Sequence, residues 1–332
     1  MKPTLHIVAR KTLLLLICTN LFYTLSFAQH LLLGNEKFKI EAGLNFGPTF
    51  FLGDLGGNEG KGTSFIKDIN PELTKMMKGA FITIYPTEWI GLRIAGQYTF
   101  VSGFDNIIDT KGVHELWRKQ RNLDFKSNMW EAYAAIELLP TMMFNKYDDY
   151  DPRLKPYGFI GVGLFHFDPL GSITAANGTQ TWHKLHPLRT EGQGMKEYPN
   201  KKTYELTQIN IPMGGGLKYS LSPRVNLSLE LLYRKTFTDY IDDVSTTYID
   251  PKYFDNYLSA NDAAVARKIH DKTFGIVTPG ITRYAPGVQR GNSKNKDAYF
   301  STLLKVGIRF GAIYNSDAER NAARQTRCPH FY

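Results

Sequence analysis

The sequence predicts an all-β chain, a transmembrane antiparallel up-and-down β-barrel of about eight strands. Three observations predict it. The first is a period of two in the apolar residues of one segment after another, the spacing at which strand side chains point to opposite faces. The second is the leader: Lys2, Arg10 and Lys11, an apolar run beginning at Leu13 to Cys18, and small residues at Ser26 and Ala28. That order is the order of a secretory signal peptide cut before Gln29. The third is the pattern of connections, which run long, short, long, short, long, short, long. An even-stranded barrel with both ends in the periplasm has short turns there and long loops outside.

Composition narrows the class. Of 332 residues, 42% are apolar, and the mean hydropathy of −0.30 excludes a bundle of membrane helices. A barrel wall looks hydrophilic by that average because only alternate residues meet lipid. Aromatics at 13% and 29 glycines suit interfacial girdles and a crowded lumen. Thr19, Asn20 and Thr24 interrupt the leader too much for an uncut anchor, and Ile17 stands before Cys18 where a lipoprotein needs a small residue. Removing residues 1–28 takes away three basic residues and no acids, so the net charge falls from +9 to +6. Cys328 is then the one remaining thiol, which in an exported protein is free or half of an intermolecular bond. The chain divides into a signal peptide (1–28), an outer-membrane barrel (29–311) and a periplasmic tail (312–332).

In chain order, the first predicted strand is Phe38 to Phe46, with Phe38, Ile40, Ala42, Leu44 and Phe46 on one face. After a long loop come Lys78 to Tyr85, where alternation is weakest, and Trp89 to Val101, joined through Pro86-Thr87-Glu88. A second long loop, 102–127, leads to a strand in which Trp130, Ala132, Ala134, Ile136 and Leu138 face outward. The acidic stretch Asp148 to Pro152 turns the chain into Pro156 to Phe167, and 168–207 is read as loop. The clearest hairpin follows, Gln208 to Thr238, around a Ser220-Leu221-Ser222-Pro223 turn in which Pro presets φ. Each arm has about 10 residues, enough to cross a bilayer at a tilt. A loop from Asp239 to Asp297 holds a predicted short helix, Ser259 to Ile269, and the last strand is Tyr299 to Phe310.

The inward parity collects charges of both signs: Lys39, Arg93, Lys218, Arg234, Lys305 and Arg309 against Glu41, Glu131, Glu137 and Glu230. A charge far from water costs several kcal/mol unless paired. The expectation is an internal salt-bridge network that plugs the lumen. The rival reading, a soluble β-sandwich, would bury the apolar faces in a core instead.

No enzyme motif stands out. His166 ends its strand on the lipid-facing parity, where a few outer-membrane hydrolases of lipid or peptide place a histidine; an interfacial polar ring is the plainer account. Asp239, Asp242 and Asp243 have a spacing open to calcium but lack the ordered EF-hand pattern and its glycine, so a hydrogen-bonded bend is expected. His183 and His186 have no further ligands in register for a metal. Lys201-Lys202 reads as a solvated face that touches surface polysaccharide at most. No cofactor and no nucleic-acid partner is implied, while outer-membrane lipid is.

Two stretches carry a resemblance: Phe50-Phe51-Leu52-Gly53-Asp54-Leu55, and Arg234-Lys235-Thr236-Phe237-Thr238-Asp239-Tyr240-Ile241-Asp242-Asp243-Val244-Ser245. Together they resemble the PorG-type outer-membrane barrel family, which is associated with the type IX secretion system. The ending Arg327-Cys328-Pro329-His330-Phe331 is similar to that family's Cys-Pro tail. The resemblance implies a non-enzymatic barrel in the bacterial outer membrane that anchors periplasmic ring or lipoprotein components of the secretion machine. Within the tail, Cys328 with Arg320, Arg324 and Arg327 is the expected contact, since neighbouring arginines lower a thiol's pKa and ready it for exchange. A small pore, or an adhesin using the long loops, is the remaining alternative to anchor and enzyme.

Overall fold

The computed structural model describes residues 39–55, 74–107, 113–143, 152–175, 177–273 and 285–310. Nine strands occur among them: β1 (Lys39–Leu52), β2 (Lys75–Tyr85), β3 (Ile90–Phe104), β4 (Asp124–Leu138), β5 (Leu154–Thr174), β6 (Gln180–Lys184), β7 (Thr207–Ser220), β8 (Val225–Thr236) and β9 (Ala298–Phe310). Every pairing is antiparallel, and eight strands close into a barrel in the order β1-β2-β3-β4-β5-β7-β8-β9, with β9 paired back onto β1. Closure leaves those eight without a free edge. The short β6 pairs with the far end of β5, between Leu170 and Thr174, and stands outside the ring.

The register sets the barrel's dimensions. From Asn226 on β8, one row of partners passes through Gly307, Gly43, Phe81, Ala95, Tyr133, Gly163 and Asn210 and returns to β8 at Thr236. The row comes back ten residues further along the strand than it began. With strands about 4.8 Å apart and a rise of about 3.3 Å per residue, that stagger over eight strands tilts them by about 40°. The backbone radius is then roughly 8 Å, room for side chains and not for a water column. Space is tight even so: a Cβ on Gly307 would lie 2.2 Å from the Glu41 carboxylate, so only glycine leaves that acid room inside.

Outside, the alternate residues form an apolar belt that includes Leu44, Ile94, Ile160, Leu229, Leu231 and Leu304, each about half exposed or more. Inside, Glu41, Arg93, Glu137, Glu230 and Arg234 are at most 1% exposed. Polarity is thus inverted relative to a soluble protein, which rules out the sandwich and makes the belt a lipid-facing surface. The chain is an outer-membrane β-barrel, its short connections at the periplasmic end and its long loops outside. Arginine at Leu229 is expected to cost about 2–4 kcal/mol, the range for a charge at the bilayer midplane. Urea unfolding and heat-shifted gel mobility measure it, and an unchanged midpoint would mean that Leu229 does not meet lipid.

Strands run further at the long-loop end than the alternation shows. β1 continues past Phe46 to Leu52, β4 begins at Asp124, and β5 extends to Thr174. Above the belt these ends leave lipid and pack against loops, so their outward faces need not be apolar. The region 168–207, read as loop, contains β6 and a compact turn-rich segment. The loop helix runs Ala260–His270, with Ser259 as its N-cap accepting from the Asp262 amide. Its buried Ala263, Ala266 and Ile269 join Leu185, Leu188, Met195, Ile241, Val244 and Phe254 in one apolar cluster. That cluster continues into Phe125, Phe165, Phe167 and Tyr299 at the top of the barrel, so the described residues of the long loops form a packed cap over the lumen.

Candidate functional site

Two polar constellations stand out, one in the lumen and one where the cap meets the barrel. In the lumen, the Lys218 ammonium lies 3.0 Å from Glu41 and 2.9 Å from Glu137. Arg93 pairs with Glu137 and, at 2.8 Å, with Glu230, which Lys305 also reaches at 2.9 Å. Three acids thus face three bases. The hydroxyls of Tyr85 and Tyr157 donate to Glu137 (2.9 Å) and Glu230 (2.7 Å), meeting acceptors that water would otherwise fill. Nearer the cap, Arg234 donates to Glu131 at 3.1 Å, to Gln97 at 2.5 Å and to Ser301 at 2.7 Å. Asn210 donates to Glu131 at 2.7 Å.

Eight of the ten inward charges are therefore brought together, and two are not. Lys39, the first residue of β1, sits at the short-turn mouth and pairs in solvent with Glu88 at 2.7 Å. Arg309, one residue from the end of β9, is half-buried and donates to Ser220 at 3.1 Å. Both have the inward parity, but water reaches in at strand ends.

At the other end, the stretches Phe50–Leu55 and Arg234–Ser245 meet. Asp242 accepts from the backbone amides of Leu55 at 3.1 Å and Val244 at 3.0 Å. Asp297, just before β9, accepts from the Ile241 amide at 2.8 Å, and Asp54 accepts from Asn292 at 2.5 Å. Arg121 grips Asp105 at 2.7 Å and donates to the carbonyls of Asp54 (2.9 Å) and Arg290 (2.5 Å). Arg290 in turn holds Glu191 at 3.0 Å and the Asp243 carbonyl at 2.7 Å. Glu191 accepts from the amides of Ser245 and Thr246, at 3.0 and 2.8 Å. Asp243, at φ 60°, accepts from the hydroxyls of Tyr204 (2.8 Å) and Thr190. Four loops are stitched by this set.

The carboxylates here are unevenly provided for. Asp242 and Asp243 give their oxygens to amides and hydroxyls, as a hydrogen-bonded bend does, whereas Asp239, only 2% exposed, has Ser245 beside it but no hydrogen bond of ordinary geometry. Among the described residues, no ion pair reaches Asp54, Asp239, Asp242 or Asp297, and no three His, Cys, Asp or Glu side chains are set as a metal's ligand shell. Burial pushes the acids upward: Asp239 to about 8, Asp243 to about 6, and Asp242 and Asp297 well above the usual carboxylate range. After burial, the largest cause for Asp242 is Asp54, and for Asp297 it is Asp242. Such a set fastens loops.

The remaining candidates are scattered. His166 lies exposed on the outer wall, its Nδ1 3.0 Å from Thr207 Oγ1. His183 contacts Thr181 on β6, while His186 packs edge-on against Tyr204 with Nε2 2.9 Å from that residue's carbonyl. Lys201 bonds Thr247 at 2.8 Å within the cap. Cys328, Arg320, Arg324 and Arg327 lie outside the described residues, as does the signal segment. Sequence reasoning missed Tyr85 and Tyr157, though the inward parity of their strands points to both. It also missed Glu191 and Arg290, which sit in aperiodic loops with no local pattern to expose them, and Arg121, which ends a short helix, Val113–Arg121, inside a stretch read as loop.

No family model and no curated protein matches the sequence. Solved outer-membrane proteins are similar in shape at low identity. Ail, the attachment invasion locus protein of Yersinia pestis, solved with the heparin analogue sucrose octasulfate, is 8% identical; the match covers 82% of this chain and 99% of that one, at a TM-score of 0.33. Neisserial surface protein A is 12% identical over 82% of this chain and 97% of that one, at a TM-score of 0.31. OprG from Pseudomonas aeruginosa is 9% identical over 83% and 97%, at 0.32.

Proposed function

We propose that the protein is a non-enzymatic outer-membrane anchor for periplasmic components of a secretion machine, of the type IX kind that the sequence resemblance implies. The observation that supports this reading is the junction of Phe50–Leu55 with Arg234–Ser245. The stretches that distinguish this barrel by sequence are spent on bracing it, through Asp242 on the Leu55 amide and Arg234 on Glu131. A lumen closed by eight paired charges suits a rigid mount better than a solute path. The contacts then belong to the periplasmic turns and the tail, residues 312–332, with Cys328 as a candidate covalent tether and Arg320, Arg324 and Arg327 beside it.

A pull-down from detergent-solubilised outer membrane, with and without reductant, tests this. Periplasmic ring or lipoprotein components are expected to co-purify. A heavier species on non-reducing gels should collapse with reductant and be missing in Cys328→Ser. If Cys328→Ser leaves every adduct, pull-down and secretion level unchanged, the tail is no covalent tether; if no periplasmic protein co-purifies from either, the anchor role fails. A second reading, a surface binder working through the loops, draws on the packed cap over the barrel and would show instead as an extracellular partner in the same experiment.

A further inference from the structure

We infer that the outer wall of β2 and β3, at the long-loop end, binds the phosphate of an outer-leaflet glycolipid. Lys78 has the outward parity of β2, whereas Lys75, the register partner of Thr49 at the strand's first residue, has the inward one and only its ammonium comes to the outer face; Tyr98 and Phe100 are successive outward residues of β3. The Lys78 ammonium lies 5.4 Å from the centre of the Tyr98 ring, and that of Lys75 lies 5.9 Å from the centre of the Phe100 ring. Tyr98 is the register partner of Lys78 on one side and of Trp130 on the other, with the two ring centroids 4.5 Å apart. The Tyr98 hydroxyl donates to Asn128 at 2.8 Å, which fixes the ring. Trp130 is 61% exposed, so the row lies open on the wall.

Height decides what this row meets. A residue on a strand tilted by about 40° climbs about 2.5 Å. Lys78 is seven residues above Tyr85 on β2, hence roughly 17 Å up, and Lys75 stands at roughly 25 Å. The apolar band of an outer-membrane barrel is about 25 Å tall. Lys75 therefore stands at the upper boundary, and Lys78, about 8 Å below it, extends toward it because lysine stems run along apolar surface toward polar headgroups. Tyrosine and tryptophan favour that same level.

Charge completes the argument. Among the described residues neither lysine has a carboxylate within ion-pair distance; each rests on a ring face, which holds the cation without neutralising it. An ammonium at a membrane boundary is best matched by an anion of the membrane itself, and the outer leaflet supplies phosphate on a glycolipid. Two cations on one strand, above consecutive rings of the next, suit a phosphate monoester carrying close to two charges. This inference rests on the barrel standing in the outer membrane and is independent of the anchor role.

Native mass spectrometry of the full chain in detergent micelles tests it, with bisphosphorylated lipid A as probe. The comparison is the same lipid with its phosphates removed, and inorganic phosphate serves as competitor. Wild type should retain the phosphorylated lipid about tenfold better, as two partly exposed ion pairs would give. Lys75→Gln with Lys78→Gln should erase the preference, and Lys78→Arg should keep it. Equal retention of the two lipids by wild type overturns the proposal without any variant, as does a double variant that still discriminates. Displacement by inorganic phosphate would mean that the site takes the free ion and not the glycolipid. Heat-shifted mobility reports barrel formation in each sample, so a failure of the barrel is told apart from a failure of the lipid site, and the pull-down separately judges the anchor.

Discussion

Replacing Glu230 by glutamine is expected to cost the barrel about 3–5 kcal/mol, the penalty for breaking a buried ion pair from one side. Glu230 takes Arg93 at 2.8 Å, Lys305 at 2.9 Å and the Tyr157 hydroxyl at 2.7 Å, and it is shut off from solvent. Glutamine fills the same volume, so packing is not the variable. Arg93 keeps Glu137 as a partner, but Glu230 is the only acid within ion-pair distance of Lys305 among the described residues. A buried ammonium without its carboxylate carries the whole desolvation cost. Adding Lys305→Met to Glu230→Gln removes that orphan and should recover most of the loss, because exchanging both members of a buried pair for uncharged groups is often neutral. Urea unfolding of refolded protein in micelles measures all three. A single variant as stable as wild type would mean that water reaches this network, and the plugged-lumen reading would have to be given up.

The network's membership was legible because a period of two reports which face a residue takes. It does not report depth. Lys39 and Arg309 share the parity of Lys218 and Lys305, yet they sit at strand ends where solvent enters, and depth follows from the stagger of ten residues around the ring, which no single segment encodes. The cap was less legible for a related reason. Asp54 and Asp297 are drawn to one place by contacts between distant loops, and residues that pack without a repeating face leave no period to read. What the sequence did carry there was the Thr238–Ser245 stretch, whose acids do form a bend, although its tie to Leu55 could not be seen without the fold. The tail and leader remain expectations from the sequence.

Raising the pH is expected to loosen the cap, and Asp239 is the residue to examine. That residue is 2% exposed, and burial pushes its carboxyl up to about 8, with Ser245 the first influence holding it back. The Asp54 carboxylate adds to the push by less than Ser245 opposes it, and Lys296 downward and Glu191 upward count for less again. In the unfolded chain an aspartic acid loses its proton near pH 4; in the cap Asp239 keeps it to about pH 8. Between those values the folded cap binds the extra proton, so its stability falls as pH rises through that window and levels off above it. Asp243, pushed to about 6, and the raised Asp242 and Asp297 change in the same direction. Hydrogen exchange of the segment 239–245, followed from pH 4 to pH 9 and corrected for the intrinsic rate, should show protection declining with pH in wild type. Asp239→Asn, which stays neutral throughout, should remove the Asp239 share of that decline, leaving the shares of Asp242, Asp243 and Asp297, and keep the cap more protected than wild type above pH 8. Matching profiles for the two proteins would mean that Asp239 is ionised in the folded cap at neutral pH.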